Sequence, residues 1–366
     1  MAEKTTALLA GPDYVSDCTG SQVYVSRYGE PIFEVFSGQR SRGDAMTQST
    51  KISWLCGSKP PLVLALVQSL AAAGLDEDEF VARFIPEFAQ AGKGEVTLNH
   101  VLTHTVPYQE LGLYWTNEGS RGNQEEDLMM ASWDDALAMI CKMPLFESAG
   151  AAVTYTSMAN WHVLAVVLER LTGRSHEEVI AETVLKPLGM DSTRFYLDER
   201  DTAAVSLALL TDLDSDGEPR IAGLDSGTLL FARLPGLACR GPARDLAKAV
   251  ECAVGWRDRD RIDPGWRAKL VEPRRTELPD PVFQGADVLW SLGLCADPMC
   301  YGLPLSKRAV GYTGFRSSMV FADIDAGITL SFISNGMVPK ARDWARKRKL
   351  VRAVYDDLDL PLADAA

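Results

Sequence analysis

Residues 60–73, PPLVLALVQSLAAA, are apolar nearly all the way round a helical wheel, and this run constrains the fold more than any other stretch. A helix without a polar face has to be enclosed, so layers of structure must pack around it. Pro60 and Pro61 fit only its first turn, where a missing amide donor costs little, and Gly74 is a stop signal at its end. The residues leading into it, WLCGSK at 54–59, put Cys56 and Lys59 three apart at the helix start and therefore on one face.

Strand-like alternation occupies both ends of the chain. Residues 22–28 and 32–38 read as a hairpin around Gly29–Glu30–Pro31, and 319–333 as two strands about Asp325–Ala326–Gly327. A helix follows over Lys340–Tyr355, and its basic run, Lys340 to Arg352, reads as a solvated face. Residues 76–200 are helical in pattern, with loops at 106–126 and 145–156. Strands at both ends with helices between them predict an α/β (α+β) fold, in which an antiparallel sheet is assembled from the two termini and flanked by helices. The whole chain, 1–366, is expected to be one catalytic domain, with an α/β lobe at about 1–75 and 290–366 and a mostly helical lobe at about 76–289.

The 37 basic and 50 acidic residues leave a formal charge of −13, which repels phosphate backbones and anionic lipid and argues against nucleic-acid or membrane-surface roles. No secretory leader and no apolar run of membrane-spanning length stands out, and seven cysteines without a CxxC pair suit a reducing cytoplasm. Asp212–Gly217, DLDSDG, copies the start of a calcium loop, but Gly223 stands where the loop's final glutamate belongs, so a polar hairpin turn is the expectation. His100 and His104 share a helical spacing without the glutamate of a zinc-protease motif, and no metal or cofactor is expected.

A nucleophile at a helix start meets the positive end of the dipole and free backbone amides, and a lysine one turn on can lower its pKa or carry its proton. The text around Cys56 makes this more than a chance tetrad. WLCGSKPPLVLALVQSLAAAGLDEDEFVARFIPEF followed by VTLNHVLTHT resembles the class C β-lactamase and penicillin-binding-protein family of serine hydrolases, with cysteine in place of the serine of S-x-x-K. Tyr155–Thr156–Ser157, VLKPLGMDSTRF at 184–195, GPARDLAK at 241–248 and Gly311–Phe315 (GYTGF) resemble its later motifs in the same order, so the likeness spans about residues 20–335.

The resemblance implies Cys56 as nucleophile, with Lys59 and Tyr155 sharing the acid–base work and the lysine cation favouring a tyrosine phenolate. It implies an oxyanion hole from the backbone amides of Cys56 and Phe315. Ser157, Tyr312, Thr313, Gly314 and Arg316 would contact substrate. Tyr312 brings no positive charge where many penicillin-binding relatives carry Lys or His. Val106–Pro107 replaces the usual Ser-Gly, which reshapes a loop where Tyr108, Tyr114 and Trp115 are candidates for a pocket wall.

A cysteine changes the chemistry that follows. The unperturbed thiol titrates near ~8.5, within reach of neutrality beside a helix start and a lysine. Thiolate is also a good leaving group, so esters and thioesters are easier donors than amides. The thioester then reacts with amines in preference to water, relative to an oxygen ester. The expected activity is acyl transfer from a small ester or thioester donor to an amine or alcohol, as in natural-product transacylases of this fold. An esterase- or amidase-type hydrolase and a catalytically inactive binding homologue with an inert Cys56 remain alternatives.

Overall fold

The computed structural model describes residues 2–108, 124–204, 206–213, 220–274, 278–280, 286–296 and 301–362. Helix α1 (Glu3–Ala10) precedes strands β1 (Gly20–Arg27), β2 (Glu30–Ser41) and the short β3 (Asp44–Ala45). Three helices frame the middle: α2 (Lys59–Ala72), α3 (Ala159–Thr172) and α4 (Ala243–Ala253). Strands β4 (Ala309–Thr313), β5 (Ser318–Asp323) and β6 (Ile328–Ser334) are followed by helix α5 (Lys340–Asp357).

One six-stranded sheet joins the two ends of the chain in the order β4-β5-β6-β1-β2-β3, every neighbour antiparallel. Its seam is β1 against β6, with Tyr24 opposite Ser331 and Val25 opposite Leu330. The first hairpin turns at Tyr28–Gly29 rather than at 29–31, with both residues at positive φ (49° and 84°), the geometry that matches strand twist. Pro31 already lies in β2 opposite Ser26, and the register slips between Val25 and Ser26, where proline cannot donate to the ladder.

Every residue of β5 and β6 is buried, so both faces of the sheet's centre are covered. Helix α4 packs against β1, β5 and β6 and also meets α2, which in turn packs on α3. A segment from mid-chain, within the stretch expected to form the helical lobe, thus covers the sheet. The stretch Leu55–Ala72 has the length and apolarity of a membrane span, yet 78% of it is enclosed within the protein. That is what an all-round apolar helix requires in water.

Helix α5 departs from the sequence reading. Its basic run is not simply a solvated face: Asp343, Arg346 and Lys347 are buried, with Lys347 fully inaccessible. Around the decoy calcium loop, Thr211–Asp212 pairs antiparallel with Arg220–Ile221, as a hairpin would; the turn at 214–219 lies outside the described residues, as do Tyr114, Trp115 and Cys300. Tyr108 is described and is fully buried.

Candidate active site

The turn carrying Cys56 is a short 3-10 segment, Leu55–Ser58, running directly into α2. Leu55 is buried and left-handed (φ 50°), a costly conformation for a branched residue that persists only where surroundings enforce it. Those surroundings are visible. The Trp54 amide donates to the Cys239 carbonyl and its indole to Gly241, both at 2.9 Å, while Ser318 Oγ donates to the Trp54 carbonyl at 2.7 Å. Ser58 Oγ accepts from the Cys239 amide at 3.0 Å, which makes that hydroxyl a brace of the turn.

Lys59, the first residue of α2, is fully buried. Its Nζ donates to the Gly236 carbonyl at 2.9 Å and lies 5.6, 5.2 and 5.4 Å from the ring centres of Tyr155, Trp161 and Tyr312. Gly236 has to be glycine for this. A β-carbon there would sit 2.5 Å from the Ser157 carbonyl and against the Trp161 side chain. Tyr155 and Cys56 influence each other electrostatically and Lys59 Nζ faces the Tyr155 ring, so Cys56, Tyr155 and Lys59 lie together.

One expectation is reversed. The lysine cation was expected to favour a phenolate, but burial, followed by the negative charge potential of Cys56 and Tyr312, pushes the Tyr155 pKa well above the ordinary tyrosine value. Tyr155 is therefore a phenol at neutral pH.

The third motif ends strand β4 beside this group. Gly314 is pressed against the cysteine turn: a β-carbon there would lie 2.3 Å from the Trp54 carbonyl and 2.1 Å from Ser318 Oγ. Tyr312 is buried, its ring packed at 6.3 Å from Trp161 and 5.8 Å from Trp290, so it forms a floor and not an open edge. Ser157 and Thr313 are half-buried, and Phe315 is 38% exposed. Arg316 turns away from the expected substrate role. Its guanidinium pairs with Asp212 at 2.9 Å and donates to the Val338 and Met337 carbonyls, its φ being 55°.

A β-lactamase family model matches residues 13–353. The chain belongs to the β-lactamase family. It is similar to Esterase EstB of Burkholderia gladioli, 25% identical over 357 residues and covering 86% of each chain. Among solved structures it is similar to EstCE1, a hydrolase with promiscuous acyltransferase activity, at TM-score 0.77 and 20% identity over 97% of this chain and 98% of that one. It is also similar to the simvastatin synthase LovD from Aspergillus terreus, at TM-score 0.74 and 17% identity over 97% of both chains. These likenesses establish the β-lactamase fold, with its antiparallel sheet and helical parts.

Within this β-lactamase framework the structure brings further residues to the site. His104, also at positive φ (54°), is fully buried, with its ring 4.6 Å from Tyr155 and 4.5 Å from Trp290. Its nitrogens lie 3.4 Å from Tyr312 Oη and 3.4 Å from Asn160 Nδ2. Burial, and then the Lys59 cation, hold its pKa well below the usual histidine value, so it stays neutral. His100 is separated from it in role, its Nδ1 accepting from the Thr97 amide at 3.1 Å in a helix cap. Trp290 stacks on Tyr155 at 5.7 Å. The VTLNHVLTHT text located His104 but not its direction, because a single left-handed residue after a helix re-aims a side chain without leaving a periodic trace.

Proposed function

We propose that the protein is an esterase- or acyltransferase-type enzyme that forms an acyl thioester on Cys56 and transfers the acyl group to an amine or alcohol. Cys56 stands where the family's serine stands. The observation that carries the reading is the gathering of Cys56, Tyr155 and the buried Lys59, whose Nζ lies 5.6 Å from the Tyr155 ring, with burial keeping Tyr155 a phenol. The likeness to EstCE1 and to simvastatin synthase supports transfer, and the likeness to Esterase EstB supports hydrolysis. The six described cysteines are all free thiols, which supports a cytoplasmic setting.

The chemistry balances around Tyr155. Cys56 Sγ bonds to the acyl carbon as the carbonyl π pair moves onto oxygen. The thiol proton passes to the Tyr155 oxygen while Tyr155 passes its own proton to the departing oxygen or sulfur. On collapse the carbonyl re-forms, the bond to the leaving group breaks, and an alcohol or thiol departs from a Cys56 thioester. The second half runs in reverse. The acceptor's nitrogen or oxygen bonds to the acyl carbon, its proton goes to Tyr155, and the Tyr155 proton goes to Sγ as the C–S bond breaks. Lys59 offsets the negative charge that Tyr155 carries in passing, and the amides of Cys56 and Phe315 receive the oxyanion.

The test is acid-quenched mass spectrometry after mixing with small esters and thioesters, with peptide mapping. An acyl group on Cys56 is expected, absent in Cys56→Ala and discharged faster by added amine than by water. Discharge indifferent to amine would make the enzyme a hydrolase. A bare Cys56 that also resists a general thiol reagent would leave an inactive homologue.

A further inference from the structure

The buried charges of α5 converge on the backbone of the third motif. Lys347 Nζ lies 2.7 Å from Asp343 Oδ2 and 3.4 Å from the Gly314 carbonyl oxygen, to which it donates. One residue earlier, Arg346 pairs with the same carboxylate (Nε to Oδ1, 3.0 Å) and donates through Nη2 to the carbonyls of Arg316 at 2.8 Å and Gly336 at 2.9 Å. Two adjacent cations, sharing one counter-ion, therefore hold two carbonyls of the turn 314–316. Arg316, at φ 55°, is the strained residue of that turn, and the Arg346 contact to its carbonyl helps enforce the strain.

We propose that Lys347 is a positioning residue for the oxyanion hole, acting through the Gly314–Phe315 peptide. The proposal rests on the reading above in which the Phe315 amide receives the oxyanion. That peptide is trans, so its N–H points opposite to its carbonyl. Anchoring the Gly314 oxygen to Lys347 therefore aims the Phe315 N–H away from α5. Gly314 itself abuts the Trp54 carbonyl and Leu55, which places the peptide against the cysteine turn. An ammonium on the carbonyl also draws electron density from the peptide, making its N–H a stronger donor, as linked hydrogen bonds polarise one another at low dielectric. The cation stands behind the oxyanion in a water-excluded interior where such charges act strongly. Burial lowers the Lys347 pKa, with Asp343 opposing that shift, so the ion pair is what sustains the charge. A buried ion pair is weak evidence for a stabilising role. Its placement on this one peptide fits a role in the chemistry.

The experiment compares an ester with its thiono analogue, whose sulfur accepts hydrogen bonds poorly and so depends less on the oxyanion hole. Single-turnover acylation of Cys56 is measured in wild type, Lys347→Met and Lys347→Arg. The methionine variant is expected to lose on the order of tenfold in kcat on the ester with KM little changed, and distinctly less on the thionoester. Arginine is expected to restore the ester-to-thionoester ratio in part. Alkylation of Cys56 by iodoacetamide, which forms no oxyanion, reads the direct influence of the Lys347 charge on the thiol and is expected to slow less than acylation by the ester. If the methionine variant does not fold, the same ratio is read on Lys347→Gln. Equal losses on both substrates, or alkylation slowed as much as acylation by the ester, would overturn the proposal, because Lys347 would then act on the fold or on the thiol. If wild type forms no acyl-Cys56, the underlying reading of the site fails. If it does and the ratio is unmoved, only the role of Lys347 fails.

Discussion

Two fully buried lysines approach the cysteine turn, and the protein treats their charges differently. Lys59 sits at the head of α2 against the rings of Tyr155, Trp161 and Tyr312, donating to the Gly236 carbonyl. Lys347 sits in the middle of α5 with Asp343 at 2.7 Å and Arg346 beside it. The first cation is cradled by π faces and a peptide dipole, which stabilise charge while allowing it to shift as a proton moves. The second is locked to a carboxylate and serves as a fixed field. In the proposed mechanism the first lysine takes part in proton transfer and the second holds still.

The largest expected effect tests the first half of that contrast. Lys59→Met removes the charge that offsets transient phenolate character on Tyr155, and acylation of Cys56 should fall by about 10³-fold, in the range of lost acid–base catalysis. Thermal stability should hold or rise, because an apolar side chain of similar length replaces a buried cation among aromatic rings. Stopped-flow acylation and a melting curve on the same preparation check both. A large drop in melting temperature with intact acylation would reverse the assignment.

The next effect falls on stability. Asp343→Asn leaves Lys347 and Arg346 buried without their carboxylate and should cost about 3–5 kcal/mol in denaturant unfolding. Adding Lys347→Met should recover part of that loss, since a well-packed apolar group is cheaper inside than an unpaired charge. A double variant no more stable than the single one would show that Arg346 carries the whole dependence on Asp343.

The contrast between the lysines also marks what the sequence could and could not reveal. Periodicity located β1, β2, β5, β6 and α5, and the all-round apolar run located α2, because burial leaves a local trace in residue order. Cys56, Lys59 and Tyr155 were legible as motif positions. Lys347 was not. Seven of the thirteen residues from Lys340 to Arg352 are basic, and charge alone does not say which turn of a helix faces the sheet. Gly236 and Trp290 meet the site through long-range contacts that no spacing encodes. The protonation of Tyr155 was read the wrong way round because sequence supplies the neighbouring cation but not the depth of burial, and burial is the larger influence here.

A smaller effect sharpens the picture of Lys59 as a charge felt by its neighbours. His104 is held neutral first by burial and then by Lys59. Its folded pKa is depressed below the unfolded value of ~6.5, so the unfolded chain takes up protons more readily and stability is lost as pH falls below that value. Lys59→Met removes the lesser of the two causes, so the His104 pKa rises and the acid loss shrinks without vanishing. His162, which burial brings down to about 4, adds an acid loss of its own, but its influences do not include Lys59 and it cancels in the comparison. The measurement is the fall in unfolding free energy from about pH 7 down through the acid range, to the lowest pH at which unfolding stays reversible, in wild type and in Lys59→Met. A smaller fall in the variant is expected. An unchanged fall would mean that the aromatic rings screen the lysine from His104.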